Sequence, residues 1–232
     1  MSVQAGVEEI VHLGCEVVDA LRDRKMTARL FGGTAIELLT GASARPKDID
    51  IVVPHNMVPA ATKCLSSLGW RLERRSLLLG DRQHALMTDR SGRCQLDIFG
   101  DPLRFNHTIR LANRFDLLPY SISVSDLLLT KLQIVCPVKK DMLDIARLCA
   151  FIAGGGVEDA EKRIVDVTCS EWGFYHTALK NLATTKTSCV LDDSAGRFMT
   201  RLSHAMADAP KSLRWRLRSV FGELYKWYAI VD

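Results

Sequence analysis

No stretch of this 232-residue chain approaches the run of about 18 apolar residues that a membrane-crossing helix needs, so no membrane span is expected. The opening residues, Met1 to Ala5, hold neither a basic segment nor an apolar core, which argues against a secretory leader. The seven cysteines, Cys15, Cys64, Cys94, Cys136, Cys149, Cys169 and Cys189, are scattered, with no C-x-x-C pair and no Cys/His cluster at zinc spacing. That pattern excludes a disulfide framework and suits reduced thiols in a cytoplasmic compartment. Charge of one sign is also scarce. The net charge of +4 is divided evenly between residues 1–120 and 121–232, so bulk charge does not argue for nucleic acid. No internal repeat or low-complexity tract is visible. What remains is an ordinary globular composition, 47% hydrophobic and 25% charged, enough for one large domain or two small ones.

Two short stretches carry chemistry. In Phe31-Gly32-Gly33-Thr34-Ala35 a glycine pair closes a short apolar run and leads into a helix. A turn of this kind offers backbone N–H groups suited to phosphate. In Lys47-Asp48-Ile49-Asp50-Ile51-Val52-Val53 two aspartates alternate with β-branched residues. Strand side chains alternate faces, which puts Asp48 and Asp50 on one face and turns Ile49 and Ile51 to the core. Carboxylates sharing a face repel unless a cation lies between them, and Mg²⁺ takes oxygen ligands of this type. A third aspartate, Asp97, sits between Leu96 and Ile98 in a later strand pattern. If the two strands are neighbours, three carboxylates converge. Two could hold Mg²⁺ on a triphosphate, and the third could activate an attacking hydroxyl as a base or through a second metal.

Apolar periodicity predicts helices over residues 6–24, 34–39 and 58–68, and strands over 28–31, 48–53, 70–75, 83–88 and 93–99. Gly14 falls in the middle of the first helical stripe, where it either weakens the helix or admits a close neighbour. A further hairpin is predicted from 108–111 and 115–118. From Ser125, an expected N-cap, helices follow over 126–135, 138–152, 157–168, 172–183, 193–207 and 211–229. The last bears a stripe of Leu213, Leu217, Val220, Phe221, Leu224, Trp227 and Tyr228. The expected class is α/β (α+β), a mixed-sheet catalytic domain over residues 1–120 followed by a helical domain over 121–232.

The glycine pair, the following helix, Asp-x-Asp on a strand and a later strand aspartate together resemble the DNA polymerase β-type nucleotidyltransferase superfamily, across residues 28–99. Phe31-Gly32-Gly33-Thr34-Ala35 with Asp48-Ile49-Asp50 is closest to the AbiEii/MenT-like group, toxin components of toxin–antitoxin systems, and also looks like the aminoglycoside and lincosamide nucleotidyltransferases. Val124-Ser125-Asp126-Leu127-Leu128-Leu129-Thr130-Lys131-Leu132, followed by Lys140-Asp141-Met142-Leu143-Asp144-Ile145, is similar to the toxin group's Lys-Leu helix and Lys-Asp-x-x-Asp segment.

The resemblance implies a nucleotidyltransferase fold and transfer of an NMP from an NTP to an acceptor hydroxyl. Gly32, Gly33, Thr34 and Lys131 would bind the triphosphate. Asp48, Asp50 and Asp97 would bind two Mg²⁺ ions, for which Mn²⁺ could substitute, with Asp97 also catalytic. Lys131 would neutralise developing charge, oriented by Asp144, with Asp141 the weaker candidate for that task. Many superfamily members carry serine after the first glycine; here that position is Gly33, and Thr34 is expected to replace the hydroxyl donor. The implied acceptor is RNA, tRNA above all, and the implied partner an antitoxin protein.

Two alternatives stand beside this one. A small-molecule nucleotidyltransferase of the antibiotic-modifying type would need an acidic pocket for a cationic aminoglycoside, and the C-terminal half shows no concentrated acidic patch. A non-catalytic nucleotide-binding protein would leave clustered carboxylates unused at a cost in stability. The basic run Arg197, Arg201, Lys211, Arg214, Arg216 and Arg218 fits a solvated helix face or a grip on an RNA backbone. Arg45 and Lys47 flank the aspartates, and His84 and His107 receive no role.

Overall fold

The structure, a computed structural model, describes residues 6–41, 46–73, 83–155 and 159–229. The fold is mixed α/β, a five-stranded mixed sheet with its helices followed by a helical region. It divides into two compact units, Met1–Leu103 with Arg110–Ser123, and Arg104–Ile109 with Val124–Asp232.

The first unit runs α1 (Val7–Arg22), β1 (Arg29–Phe31), α2 (Gly32–Thr40), β2 (Asp48–Val53), α3 (Val58–Ser67), β3 (Arg71–Leu72), β4 (His84–Thr88) and β5 (Gln95–Gly100). The sheet order is β1-β2-β5-β4-β3, with β2 and β5 parallel and the other pairs antiparallel. Alternation in β2 is read as the sequence predicts. Ile49 and Ile51 are wholly buried, each stabilising the core by roughly 1.5–3 kcal/mol, while Asp48 and Asp50 stay partly exposed on the other face. Gly41 ends α2 in the left-handed region, φ 62°, where glycine pays no Cβ penalty. Gly14 is a close-approach site: a Cβ there would meet Leu30 at 3.0 Å and Thr34 at 3.2 Å, so α1 lies tightly on β1 and α2. The outer edge of β1 is occupied by a returning segment. Leu30 donates to the Tyr120 carbonyl at 2.7 Å and accepts from Ile122 at 3.0 Å.

Two-residue strands β6 (Leu103–Arg104) and β7 (Thr108–Ile109) follow. The hairpin predicted over 108–118 does not form. Its first half shortens to Thr108–Ile109 and residues 110–120 run through turns, with Asp101 accepting from the Leu111 N–H at 2.7 Å. The rest of the second unit is α4 (Val124–Leu132), α5 (Lys139–Ala153), α6 (Ala160–Cys169), α7 (Trp172–Ser188), α8 (Asp193–Asp208), α9 (Leu213–Phe221) and a 3₁₀ turn, Gly222–Leu224. Ser125 is not the cap of α4, which already begins at Val124, and every residue of that helix except Lys131 is buried. Within α4, the fully buried Asp126 is met by Arg163 of α6 at 2.9 Å. The last helix is shorter than its stripe predicts. It stops at Phe221, none of its residues is buried, and residues 225–229 continue without helix. Among the described residues no helix is long and apolar enough to cross a membrane. Arg45 and the last two residues of the strand predicted over 70–75 lie outside the described residues.

Candidate functional site

The register of the sheet brings three strands' worth of candidates into two rows. Phe31, Asp50, Asp97 and Leu86 are successive Cα partners across β1, β2, β5 and β4. Asp48 is the partner of Gln95, and Gln95 of Thr88. Asp50 and Asp97 therefore stand side by side on adjacent strands, roughly 5 Å apart at their backbones, and Asp48 lies two residues along the same face. Like charges directly opposite one another are unfavourable in a sheet.

Gly32 supplies the other wall. It has φ +65°, and a Cβ built on it would stand 2.1 Å from Asp50 Oδ2. The backbone that opens α2 is thus pressed against the carboxylate through the space a side chain would fill. Phe31 precedes α2 as an N-cap and makes no side-chain cap hydrogen bond. The Thr34 side chain is buried and its hydroxyl donates to the Asp48 carbonyl at 2.7 Å. It ties α2 to β2, with the hydroxyl proton directed at that carbonyl.

Asp97 has a partner that the sequence does not reveal. His84 Nε2 lies 2.7 Å from Asp97 Oδ1, its ring stacked on Phe99 at 4.5 Å, and Phe99 meets Phe31 edge-on at 5.3 Å. This apolar wall fixes the imidazole and, through it, one carboxylate oxygen. The register behind the contact is set by the tight turn after β4. There the Asp89 carboxylate accepts the Arg93 N–H at 2.7 Å and the Cys94 N–H at 3.0 Å. Burial works against the Asp89 charge, yet the hydrogen bonds from Ser91, Cys94 and Arg93 outweigh it and hold its pKa below the usual carboxylate range. The turn length was the one available signal for His84, since it decides which β4 residue reaches Asp97.

The expected convergence of three carboxylates is not a closed cage. Among the described residues no three His, Cys, Asp or Glu side chains are grouped to hold a metal by themselves. Parallel registry puts Asp48 opposite Gln95 rather than Asp97, and His84 engages one Asp97 oxygen. The donor chemistry still fits a hard cation. Mg²⁺ commonly takes only one or two carboxylates and completes its shell with water and phosphate oxygens.

Lys131, Asp144 and Asp141 belong to the second unit and form a cluster there. Lys131 Nζ, on α4, lies 3.0 Å from Asp141 Oδ1 and 3.0 Å from Asp144 Oδ2, both on α5. Asp144 is fully buried and also has Arg147 at 3.7 Å. Burial by itself would lower the Lys131 pKa, but the charges of Asp144 and then Asp141 overcome it and raise it, so the ammonium stays charged. Asp141 does more than complement a helix start: its second oxygen accepts the Val138 N–H at 3.2 Å while the first holds Lys131.

No protein-family model and no curated protein matches the chain. Among solved structures it is similar to a lincosamide antibiotic adenylyltransferase, LnuA, bound to lincomycin, at 19% identity and TM-score 0.45 over 62% of this chain and 98% of that one. It is also similar to JHP933 from Helicobacter pylori, at 14% identity and TM-score 0.43 over 97% and 100% of the two chains. A third similar structure is a CCA-adding enzyme in complex with CTP, at 14% identity and TM-score 0.36, covering 87% of this chain and 54% of that one.

Proposed function

We propose that the protein is a nucleotidyltransferase, moving an NMP from an NTP to an acceptor hydroxyl and releasing pyrophosphate. The observation that carries this reading is the Asp50–Asp97 registry with the Gly32 backbone pressed against Asp50. The start of α2, suited to phosphate, thereby adjoins paired carboxylates suited to a cation. Asp48, Asp50 and Asp97 would hold Mg²⁺, one ion or two, which when bound supplies charge neutralisation on the triphosphate. The Gly32 and Gly33 N–H groups bind phosphate oxygens at the positive end of α2. Asp97 accepts the proton of the acceptor hydroxyl as its oxygen bonds to the α-phosphorus and the bond to pyrophosphate breaks. His84 keeps Asp97 aimed. In the second unit Lys131 is held charged by Asp144 and Asp141, as the triphosphate role that the sequence resemblance implies for it requires.

For the acceptor we favour RNA, tRNA first, because the basic residues Arg214 and Arg216 make no side-chain hydrogen bond or ion pair among the described residues and remain available to a polyanion. The sequence resemblance adds growth inhibition restrained by an antitoxin protein, which inducible expression with and without a partner gene would test. The direct experiment incubates the protein with each labelled NTP, Mg²⁺ and total RNA. Label on RNA that disappears in Asp48→Ala/Asp50→Ala, with folding intact by circular dichroism, supports the reading. Undiminished transfer by the folded double variant refutes the mechanism, and label on an added aminoglycoside redirects the acceptor to small molecules.

A further inference from the structure

After the 3₁₀ turn, residues 225–229 double back within the second unit over the β6–β7 turn and the start of α7. Ala229 N–H donates to the Asn106 carbonyl at 3.0 Å and Asn106 Nδ2 to the Ala229 carbonyl at 2.9 Å. The Trp227 indole donates to Thr177 at 3.2 Å. Gly173 makes room for this crossing, since a Cβ there would meet the Trp227 carbonyl at 2.4 Å. Arg218 fastens the bend, donating to the Gly222 and Tyr225 carbonyls at 2.8 and 2.7 Å with its guanidinium 4.7 Å over the Trp172 ring.

The crossing leaves a cavity of about 800 Å³ whose walls include Arg104, Trp172, Arg214, Trp215, Lys226 and Trp227. That volume is ample for a drug-sized or nucleotide-sized ligand. Four cations line it, counting Arg218, against one carboxylate, Glu171. Arg104 and Arg214 make no side-chain hydrogen bond or ion pair among the described residues. Trp215 adds a ring to the wall, while its indole N–H is enclosed and turned away from the opening. Trp172 is covered by Arg218 and stacked on His176, which leaves Trp215 and Trp227 as the rings at the wall, and Arg214 shares its charge with Glu171. Rings beside an excess of cations match an unpaired base with its phosphates. A duplex hides its base faces and could not use the indoles.

We propose that this cavity binds a single-stranded segment of RNA, one base stacking on an indole and neighbouring phosphates meeting Arg104 and Arg214. The inference rests on the reading that the acceptor is RNA, and gives that acceptor a docking site separate from the carboxylate face.

The test measures binding of a fluorescently labelled 12-nucleotide single-stranded RNA to the full chain by anisotropy, over a salt series. Arg104→Ala/Arg214→Ala, which alters two side chains at the cavity wall, is expected to weaken binding about tenfold or more. It should also make the slope of log affinity against log salt shallower by about 1.4, near 0.7 per lost phosphate contact for single strands. Trp215→Leu, which removes a ring from the cavity wall, should weaken binding with the slope unchanged. Unchanged affinity in the double-arginine variant overturns the proposal, as does equal affinity for the matching duplex. Equal affinity for a polyglutamate peptide, lost in the same variant, overturns it in favour of an acidic protein partner. Arginine-dependent binding without any NMP transfer upholds the cavity and defeats the catalytic reading. NMP transfer to RNA with the double-arginine variant binding normally does the reverse.

Discussion

Gly32→Ala should damage both stability and catalysis, for two separable reasons. At φ +65° an alanine pays about 1–2 kcal/mol for the left-handed backbone. Its Cβ would also start 2.1 Å from Asp50 Oδ2, where real Cβ contacts do not fall below 3.0 Å, so the carboxylate must retreat by about 1 Å. Overpacking of this size costs a further 1–3 kcal/mol or so, giving a total of roughly 2–5 kcal/mol. Gly41→Ala isolates the first part, because Gly41 has φ +62° with nothing within 4 Å of a Cβ. Urea unfolding midpoints at constant m-value give each cost. The excess of Gly32→Ala over Gly41→Ala, about 1–3 kcal/mol, should vanish in an Asp50→Ala background, where the clash has no partner. Transfer by Gly32→Ala should fall about 100-fold, the scale of a 1 Å misplacement of a reacting group. The reasoning fails if both alanines destabilise equally and Gly32→Ala keeps full transfer.

His84→Ala should lower kcat about 10- to 100-fold while leaving the KM for NTP unchanged, and should add nothing in an Asp97→Asn background; steady-state kinetics of the four proteins decide whether the imidazole acts through Asp97. Asp144→Ala leaves the Lys131 ammonium and Arg147 without their buried partner and should destabilise the protein by about 3–5 kcal/mol, whereas Lys131→Met/Asp144→Leu should recover much of that in urea melts. Burial lowers the His107 pKa from 6.5 to about 4, so the folded protein keeps this imidazole neutral where the unfolded chain takes up a proton. The stability this provides is complete above pH 6.5 and is lost as pH falls from 6.5 toward 4, by up to about 3 kcal/mol. His107→Gln should flatten that acid limb in pH-dependent denaturation.

The strand carrying Asp48 and Asp50 was legible because period-two alternation is a local property, and Ile49 and Ile51 could satisfy it only by facing inward. Gly14 was ambiguous until Leu30 and Thr34 filled the space beside it. The pairing of Asp50 with Asp97 was beyond the sequence, since parallel registry is a contact between residues nearly fifty positions apart. His84 was missed for the same reason, one strand further over. Spacing from the glycines does not say which way the first helical turn faces; here it turns the Thr34 hydroxyl down onto β2. The stripe on the last helix was visible, but periodicity reports an apolar face and not its cover. Leu213, Val220 and Leu224 remain largely exposed. The Lys131 cluster was expected only through the resemblance, as Lys131 oriented by Asp144 with Asp141 the weaker candidate, because the two helices meet in space and not in sequence; both carboxylates lie 3.0 Å from the ammonium.

The segment that closes the free edge of β1 has a practical meaning for anyone dissecting this chain. Residues 120–122 hydrogen-bond to Leu30, yet the stretch just before their loop, Arg104–Ile109, belongs to the other unit. The polypeptide therefore passes between the units three times, after Leu103, after Ile109 and after Ser123. No single cut yields either half intact. A fragment ending near residue 103 would expose a naked strand edge that invites aggregation, and one beginning at residue 124 would lose the β7 piece that belongs with it. Dividing the protein cleanly calls for a rewired chain order or a two-piece complementation in which residues 110–123 are supplied with the first unit.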